Sequence, residues 1–149
     1  MMLIDCVQVE LVCKSKINID TDGYVYGIET GGKIFSDILG KANVEMAGIL
    51  SLDHTNHVLN YATVAIGNTN SVDVSVAQII KIALLSNADK IMIAHNHPSG
   101  VLEITSEDIN LTQRIGAAAK FFKIQLIDSL IVNAKGDVIS IREKIGGNR

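Results

Sequence analysis

The residues best suited to chemistry lie within one stretch of the chain, AHNHPSGVLEITSED, residues 94–108. His95 and His97 follow an apolar run, and residues two apart on an extended backbone project to the same side. Asp108 is predicted in the first turn of the next helix, from which its carboxylate can point back at the strand end. Two imidazoles and one carboxylate form a zinc ligand set that leaves a fourth position open for water. The pattern therefore predicts one zinc ion per chain, at a catalytic site.

The same residues also have a structural interpretation. Thr105 and Asp108 nearly match a capping box, with Thr105 as the helix N-cap and Asp108 as the carboxylate at N3. On this interpretation Asp108 only caps a helix, and the two histidines line the turn that Pro98 and Gly100 impose. Capping by Thr105 and metal ligation by Asp108 are compatible with each other. The conjunction of all these residues favours the metal site.

These residues must be positioned by the strands and helices around them. The order of the predicted elements indicates an α/β fold with a single mixed β-sheet flanked by helices. Alternating or wholly apolar runs predict strands at residues 3–13, 44–53, 58–67, 90–94, 124–132 and 137–142. Helices are predicted at residues 33–39, 75–87 and 106–122. Ser75 is the expected N-cap of the second helix, and Gly40 is expected to close the first. A loop or irregular hairpin is expected around Gly23, Gly27, Gly31 and Gly32.

Composition suits a single globular domain and limits the classes of partner. The 149 residues are 48% hydrophobic and 19% charged, with a net charge of −3, which allows a sizeable core without disulfides. Phosphate backbones are bound mainly by cations, so the acidic balance makes nucleic acid an unexpected partner. Residues 1–43 are expected to be integral to the domain, residues 44–145 to form its core and residues 146–149 to be a flexible tail.

The location of the protein is inferred from its N-terminus and its cysteines. The sequence contains no run of 18 apolar residues that could form a transmembrane helix, so no membrane partner is expected. Asp5 and Glu10 interrupt the apolar stretch that a signal peptide requires. Cys6 and Cys13 would lie on opposite faces of one strand and could not form a disulfide. Free thiols and the missing export signal predict a cytoplasmic protein.

The spacing of the candidate residues resembles the signature of the JAMM, or MPN-type, metallopeptidases. That signature is an upstream glutamate, then H-x-H-P, six residues, serine, two residues and aspartate. Here HNHP at residues 95–98 is followed by six residues, Thr105, two residues and Asp108. The strings HNHPSG, SEDI, LT and LIDSLIV are similar to the RadC branch of the family. The resemblance covers about residues 44–142 and implies the cytidine-deaminase-like JAB/MPN fold.

The resemblance implies a role for each candidate residue. His95, His97 and Asp108 match the zinc ligands, and Glu45 matches the glutamate that acts as general base on the attacking water. Thr105 stands where the family usually has a serine, whose hydroxyl steadies the oxyanion. From its sequence context alone, Glu45 is a carboxylate at the head of an apolar strand, which also suits a solvated strand end. The implied function is zinc-dependent hydrolysis of a peptide or isopeptide bond in a peptide or protein substrate.

Two departures from RadC-like sequences bear on substrate and partner. Asp128-Ser129 replaces the usual Asp-His pair, and Val76-Ala77 replaces a common Pro-Arg pair. Asp128 interrupts an apolar strand, so it is expected either to face solvent or to orient a histidine ligand. The helix-hairpin-helix module that often precedes this domain in RadC proteins is also absent from the sequence.

The sequence also bears on functions other than hydrolysis. RadC is historically associated with DNA repair, so the alternative is a DNA-repair or mobile-element accessory protein that binds without hydrolysing. The acidic charge and the missing module weigh against autonomous DNA binding. A nucleobase deaminase is excluded, because its P-C-x-x-C ligands have no counterpart near His95, and an HNH nuclease is unsupported. His54 and His57 could bind a second metal, but turn histidines are usually polar surface.

Overall fold

The computed structural model describes residues 1–67 and 74–146. Within them, one five-stranded mixed sheet is flanked by helices, which confirms the predicted fold class. The strands are β1 (Met46–Leu52), β2 (Val58–Ile66), β3 (Lys90–Asn96), β4 (Gln125–Val132) and β5 (Val138–Ser140). The helices are α1 (Ile28–Leu39), α2 (Val76–Leu85), α3 (Ser106–Phe121) and α4 (Ile141–Gly146).

The strand order is β2-β1-β3-β4-β5, and β3 and β4 form the parallel pair. The neighbours β1 and β3 are antiparallel, with Ala47 opposite His95. β3 is buried along nearly its whole length, because helices cover both faces of the sheet. This placement puts the strand that carries His95 at the centre of the fold.

Two apolar clusters cover the two faces of the sheet. On the α1 face, Phe35 and Leu39 of α1 pack against buried residues of the strands, among them Leu50, Met92 and Leu130. On the α2/α3 face, residues of both helices pack against the strand residues Ile49, Ile91 and Ile93. Side chains alternate between the faces of a strand. His95 therefore lies on the α2/α3 face, and Asn96 on the α1 face.

Helix α1 begins earlier than predicted. Gly31 and Gly32 lie inside the helix and are buried, although a loop or irregular hairpin was expected there. Their lack of a side chain is what lets α1 approach the sheet. A Cβ atom on Gly31 would collide with the sulfur of Met92, and one on Gly32 would lie 2.8 Å from Val138. Close packing, rather than a turn, accounts for this glycine pair.

The predicted caps are confirmed. Ser75 is the N-cap of α2 and accepts a hydrogen bond from the Gln78 N–H at 3.2 Å. Gly40 closes α1 and has a right-handed conformation, with φ −61°. A Cβ atom on Gly40 would lie 2.6 Å from the carbonyl oxygen of Asn133, so close backbone approach favours glycine there. Within residues 1–67 and 74–146, no helix combines the length and hydropathy needed to cross a bilayer.

The predictions at the two chain ends need correction. Residues 3–13 form no strand, and their side chains are exposed. Alternation shows which side chains a strand would bury. A strand forms, however, only where a second strand completes its backbone hydrogen bonds. No described strand pairs with residues 3–13. The predicted strand 137–142 is only three residues long, and it leads directly into α4. Of the predicted tail, Gly146 ends α4 and residues 147–149 lie outside the described residues.

Candidate metal centre

The two histidines lie at the carboxyl end of β3. His95 is nearly buried, with 9% of its surface exposed. The backbone N–H of His97 donates to the Val132 carbonyl at 3.1 Å, which continues the β3–β4 ladder one residue past the strand. Gly100, with φ +83°, then turns the chain by donating its N–H to the His97 carbonyl at 2.9 Å. The backbone of both histidines is therefore held by the sheet and the turn.

The ring of His97 is oriented by the same turn. Its Nδ1 lies 2.9 Å from the carbonyl oxygen of Val101. A carbonyl can only accept, so Nδ1 donates to it, and the neutral ring then presents the lone pair of Nε2. A backbone carbonyl bound to the second ring nitrogen is a common feature of metal-ligating histidines. The Val101 carbonyl thus supplies a contact that the sequence did not reveal.

Asp108 is held by the predicted capping box at the start of α3. Thr105 is the N-cap, and its Oγ1 accepts from the Asp108 N–H at 3.2 Å. In return, Asp108 Oδ2 accepts from the Thr105 N–H at 2.9 Å. The other carboxylate oxygen, Oδ1, faces His95 Nε2 at 3.2 Å. Capping and the approach to His95 therefore use different oxygens of one carboxylate and coexist.

The electrostatics keep Asp108 ionised. Burial alone raises the pKa of this carboxyl, but the hydrogen bonds from His95 and Thr105 outweigh burial and lower the pKa to about 2. Hydrogen bonds to the charged form favour that form. The side chain is therefore a carboxylate at neutral pH, the form that ligates a metal.

The three side chains converge closely enough to hold a metal ion. One ligand atom from each of His95, His97 and Asp108 lies within 4.8 Å of the other two. His95 Nε2 lies 3.2 Å from His97 Nε2 and 3.2 Å from Asp108 Oδ1. Zinc bonds of about 2.0–2.1 Å in tetrahedral geometry place neighbouring ligand atoms roughly 3.3 Å apart. The donor set and the two separations from His95 Nε2 are compatible with a metal ion such as zinc.

The capping role of Thr105 yields a stability prediction. Thr105→Ala removes the oxygen that accepts from the Asp108 N–H, so we expect the free energy of unfolding of metal-free protein to fall by about 1 kcal/mol. Thr105→Ser keeps the oxygen and should match the wild type. Urea denaturation of the three proteins measures the difference. Equal stability of all three would show that the cap contributes nothing.

Glu45 lies next to this cluster through the pairing of β1 with β3. It directly precedes β1 and is half-buried. The pairing of β1 with β3 ends at Ala47 and His95, and its register extended by two residues would set Glu45 opposite His97. Directly opposed residues of antiparallel strands share a face, and here that is the α2/α3 face. The backbone therefore brings Glu45 to the same end of the sheet as the histidines, while its predicted catalytic role stays a prediction.

Asn96 anchors the segment that carries Glu45. It lies between the two histidines in sequence, is fully buried and points to the opposite face of the sheet. Its Oδ1 accepts from the Met46 N–H at 2.6 Å, and its Nδ2 donates to the carbonyls of Ala42 and Val44 at 3.3 and 3.0 Å. Asn96 was not predicted from the sequence. The signal was a polar side chain on the buried side of an apolar strand.

Removing the Asn96 amide should be costly. Asn96→Ala leaves three half-buried backbone groups without this partner, so we expect a loss of about 2–4 kcal/mol in the free energy of unfolding. The matched control is Asn110→Ala on the exposed side of α3, with an expected change within about 0.5 kcal/mol. Chemical denaturation measures both. A loss below about 1 kcal/mol for Asn96→Ala would show that water replaces the amide.

Asp128 is half-buried, and its carboxylate bonds to Ser140 and Arg142 rather than to a histidine ligand. Its carboxylate accepts from the Ser140 hydroxyl at 2.7 Å and from the Arg142 N–H at 3.3 Å. Ser140 Oγ in turn accepts from the Glu143 N–H at 3.0 Å. Asp128 therefore supports the start of α4, which the sequence analysis had not predicted.

His54 and His57 do not join a larger metal-binding group. Both are exposed in the turn between β1 and β2, and the ring of His57 packs edge-on against Tyr24 at 5.0 Å. Within the described residues, the group of three or more potential ligands is His95, His97 and Asp108. These contacts agree with the surface role weighed from the sequence.

Comparison with known proteins identifies the family. Residues 28–146 match the model of the RadC-like JAB domain. The chain belongs to the RadC-like JAB domain family. The matched range contains Glu45, both histidines, Thr105 and Asp108. The JAB domain is a fold generally associated with metallohydrolases, and the mixed sheet flanked by helices agrees with it.

Individual relatives cover the same part of the chain. A UPF0758 protein of Acidithiobacillus ferrooxidans is 34% identical over 102 residues, 68% of this chain and 45% of the relative. A UPF0758 protein of Chloroflexus aurantiacus is 38% identical over 93 residues, 62% of this chain and 40% of the relative. One from Aeromonas salmonicida is 34% identical over 112 residues, 75% of this chain and 50% of the relative. The chain thus spans half or less of the length of these relatives.

Proposed function

We propose that this protein is a zinc-dependent hydrolase that cleaves a peptide or isopeptide amide bond. The observation that carries the proposal is the convergence of one ligand atom each from His95, His97 and Asp108 within 4.8 Å. His95 Nε2 lies 3.2 Å from both His97 Nε2 and Asp108 Oδ1, which suits two neighbouring ligands of tetrahedral zinc. A bound zinc ion would lower the pKa of a water molecule and polarise a carbonyl oxygen. Three protein ligands leave one coordination position of the zinc ion open for that chemistry, whereas structural zinc sites have four protein ligands.

The protein side chains would divide the remaining work. Glu45 would accept one proton from the attacking water and return it to the amine nitrogen as the carbon–nitrogen bond breaks. Thr105 Oγ1 accepts from the Asp108 N–H through a lone pair, which leaves the hydroxyl hydrogen available for the substrate oxyanion. Asp108, ionised and held by Thr105, keeps its charge at the site.

Metal analysis tests the centre directly. Protein purified without added metal should contain one zinc ion per chain by mass spectrometry. A transition metal other than zinc at full occupancy would overturn the choice of metal. Protein that neither carries nor takes up any such metal would overturn the proposed centre.

A hydrolysis assay then tests the reaction. Quenched fluorescent peptides and lysine-linked isopeptides should be cleaved by the zinc-loaded protein, and chelation should stop the cleavage. Cleavage that survives chelation would not be the proposed reaction. Zinc-loaded protein that cleaves no substrate of either class would favour a binding function.

A second candidate function is binding of an anionic partner, nucleic acid included. Lys120, Lys123 and Arg142 line one groove of about 540 Å³ between α3, β4 and α4. The groove has an apolar floor, and Asp128 on its wall is already engaged by Ser140. Binding of a labelled DNA duplex across a salt series tests this candidate, because phosphate contacts weaken steeply as salt rises. Binding that does not depend on salt would exclude it.

A further inference from the structure

The groove between α3 and α4 is positively charged, although the whole chain has a net charge of −3. Lys120, Lys123 and Arg142 line the groove and are exposed, and Asp128 is the one carboxylate among the described residues that line it. Within residues 1–67 and 74–146, no carboxylate forms an ion pair with any of these three cations. The charge of the groove therefore favours an anionic ligand.

Gly116 leaves the floor of this groove uncovered. It lies inside α3 and lines the groove beside Leu126. Alanine is a better residue than glycine for a helix interior. Packing does not require glycine here, because a Cβ atom at this position would meet only the side chain of Leu126, at an ordinary contact distance of 3.7 Å. The effect of this glycine is to expose apolar surface that a bound ligand would cover.

The floor suits aliphatic side chains better than nucleobases. Ile124, Leu126 and Ile145 supply its apolar surface, and none of the described residues that line the groove is aromatic. Proteins that bind single-stranded nucleic acid stack the bases on aromatic side chains. A peptide that combines aliphatic and acidic residues matches both the floor and the charge of the groove.

The groove begins close to the candidate metal centre. Thr112 and Ser129 line both the groove and a small cavity that His95 and Asp108 also line. Thr112 follows Asp108 by one helical turn, a rise of about 6 Å, and Lys120 lies about 12 Å further along α3. An extended peptide would cover the roughly 18 Å from Asp108 to Lys120 with about five or six residues.

We propose that the groove between α3 and α4 binds an acidic segment of the peptide substrate, about five or six residues from the bond that is cleaved. Aliphatic side chains of the segment would lie on the floor, and its carboxylates would meet Lys120, Lys123 and Arg142. The inference rests on the proposed hydrolysis and adds a substrate class to it. Complementary charge of this kind chiefly gives specificity and speeds association.

Peptide binding tests the groove separately from the reaction. The probe is a fluorescein-labelled octapeptide of alternating leucine and glutamate, and its matched control has glutamine in place of each glutamate. Fluorescence polarisation is measured on the full-length chain with a chelator present, which stops metal-dependent cleavage. The glutamate peptide should bind at least about tenfold more tightly than the glutamine peptide, by a margin that shrinks as salt rises. Equal binding of the two peptides would overturn the proposal.

Charge reversal locates the binding site. Lys120→Glu together with Lys123→Glu replaces attraction by repulsion and should weaken binding of the glutamate peptide by about tenfold or more. The matched control is Lys41→Glu together with Lys135→Glu, which changes the net charge equally at two exposed lysines outside the groove. The control should bind within about twofold of the wild type. Equal losses in the two double variants would overturn the proposal, because they would indicate attraction by net charge alone.

A larger side chain at residue 116 tests the floor. Gly116→Leu would cover the apolar surface beside Leu126, so affinity for the glutamate peptide should fall by about tenfold or more. Gly116→Ala should melt no lower than the wild type, because alanine favours the helix. Circular dichroism checks that both variants are folded. Unchanged affinity in folded Gly116→Leu would overturn the proposal.

A single-stranded oligonucleotide of the same length tests the competing ligand. It should displace the glutamate peptide only at a much higher concentration than unlabelled peptide does. Displacement by the oligonucleotide at a lower concentration would overturn the peptide assignment and assign the groove to nucleic acid.

Cleavage then distinguishes the substrate class from the proposed function. Zinc-loaded protein should cleave a peptide with glutamates about five or six residues from the cleaved bond. Its kcat/KM should be about tenfold above that of the glutamine peptide, and the double change at Lys120 and Lys123 should remove the difference. Equal cleavage of both peptides by the wild type would overturn the substrate class and leave the hydrolysis standing. No cleavage of either would count against the hydrolysis, while the binding measurements would still decide the groove.

Discussion

Glu45→Gln is expected to lower hydrolysis by about 10²–10⁴-fold while zinc content and melting temperature stay unchanged. Glutamine keeps the size and hydrogen bonding of glutamate but cannot accept a proton. The β1–β3 register, extended by two residues, would set residue 45 opposite His97, as proton transfer from an attacking water requires. Turnover, metal content and thermal unfolding are measured on one preparation. Together they distinguish loss of the general base from loss of the folded structure.

The matched control for Glu45 is Glu107→Gln. Glu107 lies in the first turn of α3 beside Asp108 but is exposed, so its replacement should leave turnover within about twofold. Full activity of Glu45→Gln would remove Glu45 from the mechanism. Loss of zinc in the same variant would show that the carboxylate supports the metal instead of the proton transfer.

Loss of either His97 or Asp108 is expected to weaken zinc binding by more than about 100-fold. Replacing a group that merely orients a ligand typically costs 10–100-fold in affinity, so removing a ligand should cost more. We expect His97→Ala and Asp108→Asn to contain little zinc after dialysis. Asparagine keeps an oxygen that can accept from the Thr105 N–H, so Asp108→Asn separates metal binding from helix capping.

The folded state of these variants is the internal check. Far-ultraviolet circular dichroism of both variants should match that of metal-free wild type, because neither His97 nor Asp108 is a member of the two apolar clusters. His54→Ala, at an exposed turn histidine, should retain one zinc ion per chain. If both site variants kept full zinc occupancy, the ligand assignment would be wrong.

The candidate ligands were predictable from the sequence because their geometry is largely local. Residues 95 and 97 share a face on any extended backbone, and Thr105 with Asp108 can form a capping box from a four-residue pattern. The structure confirms the strand, the cap and the convergence of the three side chains. Their role in catalysis stays a prediction.

Residues whose roles depend on distant partners were not predictable in this way. The place of Glu45 follows from pairing between strands some fifty residues apart, and its catalytic assignment came from family resemblance. Asn96 reaches across the same gap to Met46. Asp128 supports α4, an element that the sequence analysis had not predicted.

The N-terminal segment, residues 3–13, shows the same limit most clearly. The alternation in residues 3–13 is a true property of the sequence, yet the chain forms no strand there. Periodicity determines which side chains could share a face, whereas a strand also needs a neighbour whose backbone completes its hydrogen bonds. The sequence by itself determined the local patterns, the caps and the ligand set. Only the tertiary structure decided which segments meet, because those contacts depend on the whole chain.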